Sequence, residues 1–219
     1  MISVVIPTLD EAAALPALLG SLGGVDEVIV VDGGSRDDTV EIAARAGATV
    51  VTAPRGRGSQ LAAGTAAARG DLLWFLHADT GVPVGAAAAL RATRAAWGCF
   101  EVTIASEDPR LRLVAAAMNL RARRTGSATG DMGIWARRPL LAKVGGWVPL
   151  LAFEDLVFTD RARRLAPAEV LAPAVTTSAR RWNAHGLTRT VLTMLALRAA
   201  YRLGADPALL AELYRGEPR

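Results

Sequence analysis

Short runs of β-branched and aliphatic residues alternate with leucine- and alanine-rich stretches through the first 98 residues, and this rhythm constrains the fold most. The runs ISVVIP (2–7), EVIVV (27–31), ATVVT (48–52) and DLLWFL (71–76) have the length and composition of buried strands. Between them lie helical patterns. Leu15, Leu18, Leu19 and Leu22 share one helical face, which stops at Gly23-Gly24. A short alanine-rich helix is expected from Thr39 to near Gly47, and another after PRGRGSQ. Strands and helices at this spacing imply βαβ units, hence an α/β fold with a mainly parallel sheet flanked by helices. Beyond Gly98 the rhythm loosens. CFEVTI (99–104) and MGIWARR (132–138) read as strands around an amphipathic helix at 109–124, with further helices at 154–165, 187–204 and 207–215.

The 219 residues suffice for one full core and are few for two. We therefore expect a single domain, with a nucleotide-binding half at 1–98, an acceptor-side half at 99–185 and C-terminal helices over 186–219. Hydrophobic residues make up 52% and charged residues 21%, as in an ordinary globular protein. One cysteine, Cys99, allows no internal disulfide and no cysteine-based zinc site, so the reducing cytoplasm is the expected compartment. Neither a signal peptide nor an apolar run of bilayer length is expected. The net charge of +4 is unevenly spread: acids crowd the first third and arginines the later chain, where Lys143 is the only lysine. The basic half reads either as a site for an anionic partner or as a solvated face. No recognition motif accompanies it, which points away from nucleic acid.

In an open α/β sheet, ligands bind beyond the carboxyl ends of the strands. Three acidic segments follow strands here: Asp10-Glu11, Asp32 and Asp79. Asp32, in VDGGSRDDT, is an expected acceptor for a nucleobase N–H or a ribose hydroxyl, with Gly33 and Gly34 allowing close backbone approach. Its structural alternative is a tight turn with acids at a helix start. Asp79, in FLHADTGVP, suits a divalent cation bridging a diphosphate, with His77 as a second ligand or a supporting partner. Arg55, Arg57 and Gln60 sit on a glycine-bearing loop suited to phosphate or ribose contacts. Glu154 and Asp155 are adjacent acids in apolar surroundings at a helix start. TGDMGIWARR, with Trp147 and Trp182, adds an acid, glycines and aromatics that either pack on a ligand or fill core.

Together VVIPTLDE, VIVVDGGSRDDT, RGRGSQLAAG, FLHADT, GDMGIWARR and FEDLVF, in that order, resemble the family 2 glycosyltransferases and their GT-A fold. The resemblance runs from Ile2 to about Trp182. It is nearest to a small soluble bacterial subgroup often labelled radical-SAM/selenodomain-associated, with its His-Ala-Asp-Thr and Gly-Asp-x-Gly-Ile segments. It implies an inverting transfer of sugar from a nucleotide sugar to a hydroxyl-bearing acceptor. Pro7, Thr8, Glu11 and Asp32 would hold the nucleoside, and Asp79 would be the metal-binding acid of the Asp-x-Asp motif. Asp155 would be the general base, with Gly130, Asp131, Glu154, Arg181 and Trp182 on the acceptor side. Three departures stand out: Asp10 for asparagine, His77 for the first Asp of Asp-x-Asp, and Ser178 where polymer-making relatives have glutamine before Arg-Trp. The last speaks against a processive polysaccharide synthase.

The expected donor is a uridine diphosphate sugar, with a guanosine diphosphate sugar second, and the expected cofactor is Mn²⁺ or Mg²⁺. If His77 is a ligand, Mn²⁺ is favoured. The chemistry alone leaves Asp131, Glu154 and Asp155 open as the base. The acceptor is expected to be a small molecule or lipid-like, since Arg189, Arg198 and Arg202 on an apolar helix fit either peripheral membrane contact or snorkelling on the core. A Rossmann dehydrogenase would need Gly-x-Gly-x-x-Gly where PTLDEA stands. The rival from another class is a catalytically silent sugar-nucleotide or glycan-binding protein of the same fold.

Overall fold

The computed structural model describes residues 1–215; positions 216–219, the end of the expected C-terminal helical segment, lie outside it. The strands are β1 (Ile2–Thr8), β2 (Glu27–Asp32), β3 (Thr49–Thr52), β4 (Leu72–Phe75), β5 (Trp97–Ala105), β6 (Trp135–Arg137) and β7 (Glu169–Ser178). Among the described residues they form one seven-stranded sheet in the order β3-β2-β1-β4-β6-β5-β7. β1 runs parallel to β2 and β4, and β2 parallel to β3. β6 is antiparallel to both its neighbours, whereas β7 is parallel to β5. This is the expected mainly parallel α/β sheet with one reversed strand.

Every residue of β1 is buried, as a central strand covered on both faces must be. The helices in the first half are α1 (Leu15–Ser21), α2 (Thr39–Arg45), α3 (Arg57–Ala67) and α4 (Ala86–Ala92). Leu15 and Leu18 are the buried face of α1, as their spacing predicts. The backbone of α3 lies hard on the sheet: a Cβ on Gly64 would stand 2.3 Å from Val5 Cγ1 and 2.8 Å from Val31 Cγ2.

The second half carries α5 (Pro109–Thr125), α6 (Arg138–Lys143), α7 (Glu154–Leu165), α8 (Arg180–His185), α9 (Leu187–Arg202) and α10 (Pro207–Arg215). Asp108 caps α5 by accepting from the Arg110 N–H, and Gly126, at φ 66°, closes it in the left-handed conformation. The Asn119 amide fastens α5 to β5, accepting from Val102 N at 2.9 Å and donating to Val102 O at 3.0 Å. Trp147, which could have faced a ligand, is core: it stacks on Phe158 with centroids 4.5 Å apart and meets Phe75 edge-on.

β7, α4, α6 and α8 are not anticipated by the sequence reading. β7 contains Pro173, which argues against a central strand, but β7 is the sheet's edge strand, where a missing N–H is tolerated. Its register against β5 slips between Phe100 and Val102, opposite the proline.

Candidate active site

β1, β2 and β4 are neighbours, so the acidic segments that follow them meet at one end of the sheet, as expected. Many of these acids fasten the loops together. Asp10 Oδ1 accepts from Arg36 N at 2.7 Å, and Asp37 Oδ2 accepts from Ala12 N at 3.0 Å. Asp32, only 4% exposed, accepts from Gly34 N at 2.8 Å, from Ser35 N and from the Ser35 hydroxyl. Its carboxylate takes these donors from its own turn. Gly33 faces Gln60 and Thr8. A Cβ there would lie 3.1 Å from Gln60 Nε2 and 3.3 Å from Thr8 O, so the close approach is by Gln60. Gln60 itself is buried and donates to Thr8 O at 2.7 Å and Val31 O at 2.8 Å, clamping the ends of β1 and β2.

A cavity of about 1350 Å³ opens beyond these strand ends. Pro7, Thr8, Glu11, Arg55, Gln60, His77, Asp79, Asp131, Arg181 and Trp182, all sequence candidates, line it. Asp32, Gly33, Gly130, Glu154 and Asp155 are absent from the lining and sit behind or beside it.

At the β1 and β4 side, Arg180 from α8 bridges two acids. Its Nη2 lies 2.8 Å from Asp79 Oδ2 and 3.2 Å from Glu11 Oε2. Burial raises the Glu11 pKa above the usual carboxylate value, offset in part by Arg180. Arg180 received no role in the sequence reading. Its signal was its place in SARRW, next to the Arg-Trp pair that drew attention.

A second charged network joins α3, the end of β4, the Gly130–Met132 turn and the start of α7. Arg57 Nε stands 3.3 Å from Glu154 Oε1, and Arg57 Nη1 stands 3.3 Å from His77 Nε2. A guanidinium only donates, so His77 Nε2 is the acceptor and the ring proton sits on Nδ1, facing Asp131 Oδ1 at 3.4 Å. Thr177 donates to the same Asp131 oxygen at 3.2 Å. Asp131 is only half-buried; what desolvation it suffers is outweighed by His77, Arg181 and Arg57, which hold its carboxyl well below the usual range. Gly130 makes the network possible, because a Cβ there would be 2.4 Å from His77 Nε2. Its N–H donates to Asp155 Oδ2 at 2.9 Å, and Leu156 N donates to Asp155 Oδ1 at 2.7 Å. Arg57, named only within its loop by the sequence reading, is the hub of this network, and the Glu154 carboxylate raises its pKa.

The two adjacent acids differ. Glu154 is 1% exposed, and its Oε2 is buried with no hydrogen-bond partner. Burial raises its pKa, Arg57 lowers it in part and Asp155 adds to the rise. Phe153, just before the pair, holds φ at 67°, a strained conformation for a bulky side chain.

Among the described residues no three His, Cys, Asp or Glu side chains are grouped to hold a metal ion. Both His77 nitrogens are engaged, so His77 does not fit as a ligand. Asp79 does fit a hard cation that draws its remaining ligands from a diphosphate and water. α9 does not turn all its arginines outward as a membrane-lying helix would, since Arg198 and Arg202 line the cavity. No described helix is long and apolar enough to cross a membrane.

Residues 3–91 match the family model for glycosyl transferase family 2. An uncharacterized glycosyltransferase of Mycobacterium tuberculosis is 41% identical over 85 residues, 38% of this chain and 39% of that protein. Glucosyl-3-phosphoglycerate synthase of Mycolicibacterium paratuberculosis is 40% identical over 92 residues, 36% of this chain and 28% of that protein. These matches thus span well under two thirds of each curated relative. Among solved structures, glucosyl-3-phosphoglycerate synthase from M. tuberculosis, in complex with Mg²⁺ and uridine diphosphate, aligns with a TM-score of 0.63 and 25% identity. That alignment covers 95% of this chain and 81% of that one. S. aureus TarS 1-349, in complex with UDP, aligns with a TM-score of 0.64 and 22% identity over 81% of this chain and 60% of that one, a likeness of fold. Residues 3–91 of this chain therefore resemble glycosyl transferase family 2, and the sheet around them has the fold of those solved structures.

Proposed function

We propose that the protein transfers a sugar from a uridine diphosphate sugar to a hydroxyl-bearing acceptor, with inversion at the anomeric carbon. The observation that carries the reading is the division of the acids lining and bordering the cavity into two groups. Glu11 and Asp79 stand at the ends of β1 and β4, while Asp131, Glu154 and Asp155 gather around Arg57 and His77. A direct displacement needs this division, with charge-neutralising groups at the leaving diphosphate and a carboxylate at the attacking hydroxyl.

Pro7, Thr8, Glu11, Arg55 and Gln60 form the nucleoside and phosphate wall, with Asp32 and Gly33 beside them. Asp79 would hold Mg²⁺ or Mn²⁺ once Arg180 releases it, and that cation would neutralise charge on the departing diphosphate. The solved neighbour in complex with Mg²⁺ and uridine diphosphate supports a divalent cation and a uridine diphosphate donor. Asp155 is the base. Two backbone N–H groups orient its carboxylate, whereas Glu154 is committed to Arg57. The acceptor oxygen bonds to the anomeric carbon as the carbon–oxygen bond to the diphosphate breaks. The hydroxyl proton passes to Asp155, and uridine diphosphate leaves.

The test is release of free nucleoside diphosphate from a panel of uridine and guanosine diphosphate sugars with Mn²⁺, with and without excess chelator. Release from a uridine diphosphate sugar that stops on chelation is expected. Nucleotide binding with no release under any acceptor would move the protein to the silent, sugar-nucleotide-binding class.

A further inference from the structure

Three arginines, Arg121, Arg198 and Arg202, converge on the cavity from α5 and α9, and among the described residues no carboxylate is paired to them. Arg121 donates from Nε to Ser127 O at 2.9 Å, but its Nη2 is buried and has no hydrogen-bond partner. Arg198 and Arg202 lie one helical turn apart and line the same cavity, and among the described residues neither makes an ion pair. Burial, and then repulsion from Arg198 and Arg202, depress the Arg121 pKa. Arg198 is depressed by burial and by Arg202. Like charges one turn apart are destabilising, and a buried donor without an acceptor is more so. A buried donor without an acceptor, beside two further guanidiniums on the same cavity wall, points to an anion received there.

The location says which substrate carries that anion. The carboxylate felt by both Arg121 and Arg198 is Asp155, whereas Asp79 and Glu11 belong to Arg180. The cluster therefore borders the base and serves the acceptor. Several guanidinium forks around one pocket match an anion with several equivalent oxygens, which is the geometry of a phosphate group. Met118 and Met194 on the cavity wall leave apolar room beside it. Resting on the reading of Asp155 as the base, we propose that the acceptor is a hydroxyl-bearing phosphate ester, its phosphate held by Arg121, Arg198 and Arg202.

Such an ester comes either free in solution or as a lipid headgroup. The probes are glycerol 3-phosphate, against glycerol, and phosphatidylglycerol vesicles, against phosphatidylcholine vesicles. Binding is followed by titration calorimetry for the soluble pair and by co-sedimentation for the vesicles, with uridine diphosphate titrated in parallel. The expected result is binding of one phosphate probe and not of its control, weakened about tenfold or more in Arg198→Gln/Arg202→Gln. Uridine diphosphate affinity stays unchanged in that variant. Whichever probe binds names the source. Should the double variant melt early, Arg202→Gln alone, on an exposed position, makes the same comparison. Binding of neither phosphate probe, or binding that the variant leaves intact, overturns the proposal. Loss of uridine diphosphate affinity in the variant also overturns it, by assigning the cluster to the donor. Wild-type protein that binds no uridine diphosphate would instead contradict the donor reading, whatever the phosphate probes do.

Discussion

Glu154 and Asp155 show how far a side chain's task depends on what surrounds it. Both were candidates as adjacent acids; the family resemblance pointed to Asp155, but the chemistry of the sequence alone did not separate them. The structure does: one carboxylate is buried on Arg57, and the other is held at its two oxygens by backbone N–H groups. Gly130 supports both sides of this arrangement, giving its N–H to Asp155 and its bare Cα to His77. Gly130→Ala should therefore push the imidazole out of line and lower turnover about 10²-fold while the protein still melts cooperatively. Steady-state kinetics beside a thermal melt checks this, and unchanged turnover would remove the network from the chemistry. At this scale the sequence showed which residues gather but not how each is held. Asp32, Gly33 and Gln60, read as ligand contacts, also serve the frame: Asp32 accepts from its own turn, Gly33 leaves room for Gln60, and Gln60 Nε2 ties the ends of β1 and β2. Residue type and spacing are the same in either case; only the direction of a hydrogen bond tells them apart.

The elements of the first half were legible because their periods are strong. The run ISVVIP belongs to a fully buried strand and EVIVV to one buried from Ile29 onward, and the leucine stripe of α1 is the buried face it announced. Elements of the second half were legible only where long, as with α5, α7 and α9. β7 escaped because edge position overrides the proline rule, and α6 and α8 because six residues hold too little pattern to read. α3 carries a signal that is easily misjudged. A glycine inside a helix ordinarily costs stability relative to alanine, by about 1 kcal/mol. Gly64→Ala should do the opposite here, because its Cβ would enter Val5 and Val31 and overpacking costs about 1–3 kcal/mol. Urea denaturation should show a lower midpoint with the slope unchanged. A stabilised variant would mean that α3 does not press on β1 and β2 as described.

At the scale of the whole molecule, one sheet edge gathers residues from distant parts of the chain into a two-sided cavity. β1 and β4 bring Glu11 and Asp79 to one side; α3, the Gly130–Met132 turn and α7 bring the Arg57 network to the other. That gathering follows from strand order, which alternation alone implied only in part, because β6 returns antiparallel between β4 and β5. The central claim is that the second side supplies the base while the first holds the donor. Asp155→Asn tests it most directly, because it keeps shape and removes basicity. Donor affinity and turnover are measured on the same preparation with the sugar nucleotide that the wild type uses. The account predicts donor affinity within about twofold of wild type and turnover lower by about 10²–10⁴-fold. Near-normal turnover in Asp155→Asn, with Glu154→Gln or Asp131→Asn inactive, would contradict it.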